Sequence, residues 1–127
     1  MAAGKYNFII EQGSQHEVSF RYKLANGNYQ SLTGYRVRMS VKDHITDTTY
    51  VYRATSDSTA DSGYNQDFTI PTQTGNDEGV FTLTISDSTT TNFTFNQGVY
   101  DLELVDSGDN VERLLEGKFK IKPQVSE

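Results

Sequence analysis

The chain has 127 residues, a formal net charge of −6 and no cysteine. This length fits one domain, and the lack of cysteine excludes disulfides, thiol catalysis and thiolate metal sites. No apolar run approaches the ~20 residues of a membrane-spanning helix, and the first residues lack the apolar segment of a signal peptide. We therefore expect a single domain over residues 1–127, made and assembled in a cytoplasm and without a membrane partner.

Alternating apolar and polar residues predict strands through the first half of the chain. The pattern occurs at residues 6–10 and 18–22, and an Asn26-Gly27 pair then predicts a tight turn. The clearest strand covers residues 35–42, where Val37 and its alternate neighbours face one side and basic or polar side chains face the other. This period of two is typical of strands that bury one face.

The second half continues the same pattern in shorter segments. Strands are predicted at 49–52, at 68–70 before Pro71, and at 80–85. Residues 87–92 can form a single helical turn because Ser86 or Asp87 can cap its start. Two polar segments, 54–66 and 72–79, are predicted to be loops.

The last strands form the strongest local prediction, an antiparallel hairpin. Residues 98–105 and 111–121 both alternate, and the five polar residues between them include Gly108, which we expect to adopt a positive φ. With about eight strands and no long helix, the chain is predicted to be an all-β sandwich of two antiparallel sheets. The predicted core consists of the inward members of these runs: Phe8, Ile10, Val18, Phe20, Val37, Met39, Val41, Phe81, Leu83, Ile85, Leu102, Leu104, Leu115, Phe119 and Ile121.

The sequence contains no recognisable catalytic set. His16 and His44 lie in different segments and are both interpreted as surface histidines, and no nucleophile motif or phosphate-binding loop is present. Residues 106–110 offer oxygen ligands that could suit calcium, but they lack the bidentate glutamate, and their composition is equally typical of a turn. We predict a non-enzymatic protein with no cofactor and no metal.

Charge and tyrosine placement indicate where the protein could contact partners. Residues 1–63 carry 7 basic and 6 acidic side chains, whereas residues 64–127 carry 4 and 11. No Lys or Arg occurs from Ala54 to Glu112, so nucleic acid is not expected there. Surfaces of opposite charge can bring copies of the protein into contact. Charged side chains that only face water on exposed strands would give the same distribution of charge. The candidate interface combines basic strand residues with tyrosines in or beside polar connections: Arg36, Arg38, Tyr50, Tyr52 and Arg53.

Three segments together resemble a known family. They are residues 98–104 (GVYDLEL) with 111–118 (VERLLEGK) and Pro123, residues 6–13 (YNFIIEQG), and residues 32–39 (LTGYRVRM). In this order they resemble small structural proteins of tailed bacteriophages. The resemblance implies a single immunoglobulin-like antiparallel β-sandwich of about 7–9 strands, located in the virion near the tail, baseplate or fibre.

The resemblance also implies a function. We expect a multi-copy connector or adaptor that holds neighbouring virion proteins and copies of itself together. Because residues 54–78 are longer and more polar than the usual linker of that family, a capsid decoration or cement role is an alternative, and receptor binding is not favoured. A carbohydrate-binding module is the alternative of another class, because exposed tyrosines can stack on sugar rings.

Overall fold

The computed structural model describes residues 4–123, and these residues form two β-sheets around a shared apolar core. The predicted all-β sandwich is therefore confirmed, while residues 1–3 and 124–127 of the predicted domain lie outside the described residues. The elements, in chain order, are β1 (Gly4–Lys5), β2 (Phe8–Glu11), β3 (His16–Arg21), β4 (Arg36–Lys42), β5 (Tyr52–Thr55), β6 (Phe68–Thr69), a 3₁₀ turn (Gly75–Asp77), β7 (Val80–Ile85), α1 (Asp87–Thr91), β8 (Gln97–Val105) and β9 (Val111–Lys122).

The large sheet has the strand order β1-β9-β8-β4-β5, and β2 also pairs with β9. The predicted hairpin is confirmed, because β8 and β9 pair antiparallel from Gln97↔Lys120 to Val105↔Val111. The all-antiparallel expectation is wrong at the N-terminus, where β1 and β2 both run parallel to β9. The 12 residues of β9 provide one edge long enough for both short strands.

The small sheet has the order β3-β7-β6, with antiparallel pairing throughout. Its connections to the large sheet include α1, where the Ser86 hydroxyl oxygen accepts a hydrogen bond from the backbone N–H of Thr89 at 3.2 Å. The predicted capped helical turn is thus confirmed. The predicted turn at Asn26-Gly27 is also present, with Gly27 at a φ of 91°.

The core lies between the two sheets and agrees closely with the predicted set. Val18, Phe20 and Leu115 differ, because they are only half-buried against the core. The first two lie on β3, which is an edge strand, and Leu115 adjoins a break in register between β8 and β9. Buried residues outside the predicted core set include Leu32, Ala54, Phe68, Phe93, Phe95 and Tyr100, of which Tyr100 alternates in phase with Leu102 and Leu104.

The β8–β9 loop is a turn held together by its own side chains. Asp106 accepts hydrogen bonds from the backbone N–H groups of Gly108 and Asn110, both at 2.9 Å, and these donors lower the pKa of its carboxyl. The positive φ falls on Asp109, at 64°, and not on Gly108 as expected. Aspartate tolerates this left-handed conformation better than most residues, so glycine is not required there.

Candidate docking surface on the large sheet

The outer face of the large sheet carries mostly polar side chains, which alternate along each strand with the core residues. In β4 the inward residues are fully buried and the outward residues are half-buried. Strand pairing aligns the outward side chains into three rows across the sheet: Arg38–Glu103–Arg113, Arg53–Ser40–Asp101–Glu116 and Lys42–Val99–Lys118. Side chains that oppose each other across strands in this way are close enough to interact.

Arg36 and Arg38, both predicted interface residues, are engaged within the chain by Asp61. The Asp61 side chain is only 4% exposed and lies 3.0 Å from Arg36 Nε and 3.4 Å from Arg38 Nη1. It also accepts a hydrogen bond of 2.7 Å from Thr55 Oγ1. Arg38 pairs in addition with Glu103 at 2.9 Å. The acidic segment of the chain therefore neutralises the basic strand of the same molecule.

The segment that carries Asp61 is a loop, as predicted, and it covers the edge of β5. The backbone N–H of Thr55 donates to the carbonyl of Asn65 at 2.8 Å, and the N–H of Asn65 donates to the carbonyl of Arg53 at 2.9 Å. An edge strand covered in this way cannot add further strands. The loop thus fixes Asp61 and blocks this side of the sheet at the same time.

Tyr52 lies beside the polar β4–β5 connection, as predicted, but its prediction as an exposed interface residue is wrong. Its side chain is 5% exposed, belongs to the core cluster and stacks on Phe119. The hydroxyl donates a hydrogen bond of 2.5 Å to Asp67, and burial raises the pKa of Tyr52 far above its usual value. Burial also raises the pKa of Asp67, although the hydrogen bond from Tyr52 opposes this shift. Tyr52 therefore offers no free surface to a partner.

Arg53 and Tyr50, the remaining predicted interface residues, lie together on the outer face. The Arg53 guanidinium carbon is 4.0 Å from the ring centre of Tyr50 and 3.9 Å from that of Tyr64. Its Nε lies 3.2 Å from Ser40 Oγ, and another nitrogen donates to the Tyr64 hydroxyl. Lys42 Nζ lies 5.1 Å from the Tyr50 ring centre. These cation–π contacts hold a positive charge in place without neutralising it.

These residues line a shallow depression of ≈ 630 Å³, which we call the sheet depression. Of the apolar and aromatic side chains that line it, Ile45 and Tyr50 are the most exposed, at 78% and 43%. Three of its cations, Lys42, Arg53 and Lys118, form no salt bridge with a carboxylate among residues 4–123, whereas its other two cations, Arg38 and Arg113, do. These five cations outnumber the three carboxylates that also line the depression, Asp101, Glu103 and Glu116. The sheet depression therefore presents a net positive charge on a protein of net charge −6.

The two histidines behave differently from each other. His16 was predicted to be a surface residue, but it is half-buried beside the Phe8 ring, and this burial lowers its pKa. His44 is exposed, as predicted, and with Asp43 and Asp47 it forms a group whose potential metal-ligand atoms lie within 4.8 Å of one another. The backbone N–H of His44 donates to Asp47 at 3.0 Å, which is the bonding of an ordinary turn.

Several residues of the sheet depression were not among the predicted interface residues. Alternation places Lys42 on the Arg38 face, and hairpin pairing places Lys118 in the same row, so both could have been found from register. Tyr64 and Ile45 lie in irregular loops, where no periodic signal reports which way a side chain points.

Comparison with known proteins finds no family model that matches this chain and no curated protein with significant similarity to it. No helix among the described residues is long and apolar enough to cross a membrane.

Proposed function

We propose that this protein is a non-enzymatic structural component of a tailed-phage virion, present in several copies and connecting its neighbours in the tail, baseplate or fibre region. The three segments that carry the family resemblance support this proposal. They fall on β2, β9, β8 and β4, which are contiguous strands of the large sheet. The resemblance therefore covers one structural unit and not scattered strand-like patterns.

The topology supports an immunoglobulin-like arrangement within this proposal. In variable-type immunoglobulin domains, strands G, F, C and C′ form one sheet, and strands B, E and D belong to the other. The order β9-β8-β4-β5 opposite β3-β7-β6 follows the same sequence of strands. The outer face of the first of these sheets is the face that carries the sheet depression.

The sheet depression is the observation that carries the connector role. Its unpaired cations favour an acidic partner, and the exposed Ile45 and Tyr50 at its border offer apolar area to bury. Interfaces take most of their affinity from such buried apolar and aromatic side chains, while charge sets orientation and partner choice. A capsid decoration protein would use the same surface, so this alternative differs only in its location in the virion.

The arrangement of the tyrosines does not favour the carbohydrate-binding alternative. A sugar site of the predicted kind needs two or three coplanar rings with free faces. Tyr50 and Tyr64 instead both contact the Arg53 guanidinium. A glycan array with the purified protein tests this alternative directly, and we expect no specific binding.

Mass spectrometry of purified virions, with copies counted against a known capsid protein, tests the proposed function. We expect several copies in each particle. Particles assembled with an Arg53→Ser/Tyr50→Ser variant should contain fewer copies, whereas an exposed change outside the sheet depression, Lys120→Ser, should leave the count unchanged. Absence of the protein from intact virions would refute the proposal.

A further inference from the structure

We infer that the sheet depression receives the acidic end of a second copy of this chain, so that copies associate head to tail. The inference deepens the proposed function and rests on it for its biological setting, but it is a statement about contact between two copies. It can therefore be tested with the purified protein alone.

The acidic end is the end of the sandwich formed by the loops that follow β5, β6 and β8. Tyr22, next to β3, donates its hydroxyl to Glu112 of β9 at 3.0 Å, and the N–H of Ser56 donates to the carbonyl of Val37 at 2.9 Å. These contacts place the loops at one end of both sheets. The carboxylates at this end that have exposed or half-exposed positions are Asp57, Asp77, Glu78, Asp106, Asp109 and Glu112.

The acidic end also carries three cations. Arg36 pairs with Asp61 and Asp109. Arg21 donates to the carbonyl oxygens of Glu78 and Gly75, and Arg21 and Lys23 both lie against the Tyr29 ring without a salt bridge to a carboxylate among the described residues. Because the carboxylates at this end outnumber these three cations, the surface that it presents to a neighbour is net negative.

The cations of the sheet depression lie elsewhere on the molecule. Lys42 and Lys118 lie in the same row across the large sheet. This row is next to the β4–β5 connection, because β4 begins at Arg36 and ends at Lys42. The row therefore lies at the opposite end of β4 from the acidic loops. One molecule thus carries both halves of a complementary contact on different surfaces.

The sign of these charges selects a head-to-tail contact over a symmetric one. Two sheet depressions face to face would bring Lys42, Arg53 and Lys118 of one copy against the same cations of the other. Two acidic ends would oppose carboxylate to carboxylate. Only contact between unlike surfaces is attractive, and a contact of this kind continues to a third copy and forms a ring or a filament.

Two variants that each disable one surface test the inference. Lys42→Glu/Lys118→Glu makes the sheet depression acidic and leaves the acidic end intact. Asp77→Asn/Glu78→Gln neutralises part of the acidic end and leaves the sheet depression intact. No hydrogen bond or salt bridge of the described structure involves these four side chains, so both variants should fold, and circular dichroism verifies this.

Sedimentation velocity over a concentration series at low salt reads out the association. We expect the wild-type protein to form species larger than a dimer, and each variant alone to associate at least about tenfold more weakly, which corresponds to ~1.4 kcal/mol. An equimolar mixture of the two variants should form a one-to-one dimer and stop there, because the pair retains a single intact contact. Lys120→Glu, on β9 but outside the lining of the depression, should associate like the wild type.

Three results would overturn the inference. They are a wild-type protein that stays monomeric at millimolar concentration, a wild-type dimer that does not grow further, and a variant mixture that associates no better than its components. None of these results would contradict the proposed presence of several copies in the virion. Absence from virions would instead refute the proposed function and leave a head-to-tail contact in solution standing.

Discussion

Removing the Asp61 carboxylate should destabilise the fold more than removing any exposed carboxylate of the chain. The side chain is 4% exposed and accepts from Arg36, Arg38 and Thr55. Asp61→Ala leaves two half-buried guanidinium groups without this partner and also removes the side-chain contacts of Asp61 that tie the 56–67 loop to β4 and β5. Breaking a buried ion pair by deleting one partner typically costs ~3–5 kcal/mol.

The lower part of that range applies here. Each arginine keeps a second carboxylate, Asp109 for Arg36 and Glu103 for Arg38, and their side chains retain 21% and 25% exposure to water. Residual pairing and hydration both reduce the loss. We therefore expect Asp61→Ala to lower the free energy of unfolding by about 3 kcal/mol.

Urea unfolding followed by circular dichroism measures this loss, and Asp109→Asn is the control, because asparagine also tolerates the left-handed backbone at this position. Asp109 contacts the same Arg36 at 3.4 Å, but its side chain is 83% exposed, so removal of its charge should cost less than ~1 kcal/mol. Asp61→Asn is the matched change at the buried position, because it removes the charge and keeps an amide oxygen that can accept hydrogen bonds. Equal losses for Asp61→Asn and Asp109→Asn would show that burial does not strengthen this cluster.

Two further predictions concern single positions. A Cβ at Gly117 would overlap the carbonyl oxygen of Tyr6, whereas at Gly108 the nearest atom is a side-chain nitrogen 3.3 Å away. Gly117→Ala should therefore lower the unfolding free energy by ~1–3 kcal/mol in urea titrations, and Gly108→Ala should change it by less than ~0.5 kcal/mol; equal effects would contradict the close approach. Because burial raises the pKa of Asp67 in the folded state, the fold is more stable when this carboxyl is protonated. The stabilisation is fully present below the unfolded pKa of 3.8 and is lost as the pH rises through the folded pKa. The stability of Asp67→Asn relative to the wild type should therefore increase as the pH rises above 3.8, and a difference between their unfolding free energies that does not change with pH would refute this assignment.

The sequence predicted the strands and their buried faces because both are local properties. A period of two assigns a face to every residue of β4, and hairpin composition sets the pairing of β8 with β9. The same logic placed Arg38 on the outer face, where the structure has it. Arg53 follows the predicted strand 49–52 and was named for its charge, whereas the structure has β5 at Tyr52–Thr55 and therefore includes it in a strand.

The parts that failed depend on contacts between distant segments. Periodicity cannot show that Asp61 folds back onto Arg36, or that the N-terminal strands pair parallel to β9. Tyr52 was misplaced because its short strand follows a polar loop, and its one polar partner, Asp67, is 15 residues away. A tyrosine can be buried wherever its hydroxyl finds such a partner, and composition does not report this.

Salt should affect assembly and folding differently, because the two processes use different charges. Raising the ionic strength from ~0.1 M to ~1 M shortens the Debye length from about 10 Å to about 3 Å and screens exposed charges far more than buried ones. Association through Lys42, Lys118 and the acidic end should therefore slow markedly in light-scattering experiments. The unfolding free energy should change little in urea titrations at the same two salt concentrations. The reason is that the ion pairs of Asp61 are buried and are therefore screened less than exposed pairs. Association that persists unchanged in molar salt would show that Ile45 and Tyr50 supply the contact by apolar burial and that the charge asymmetry is irrelevant to it.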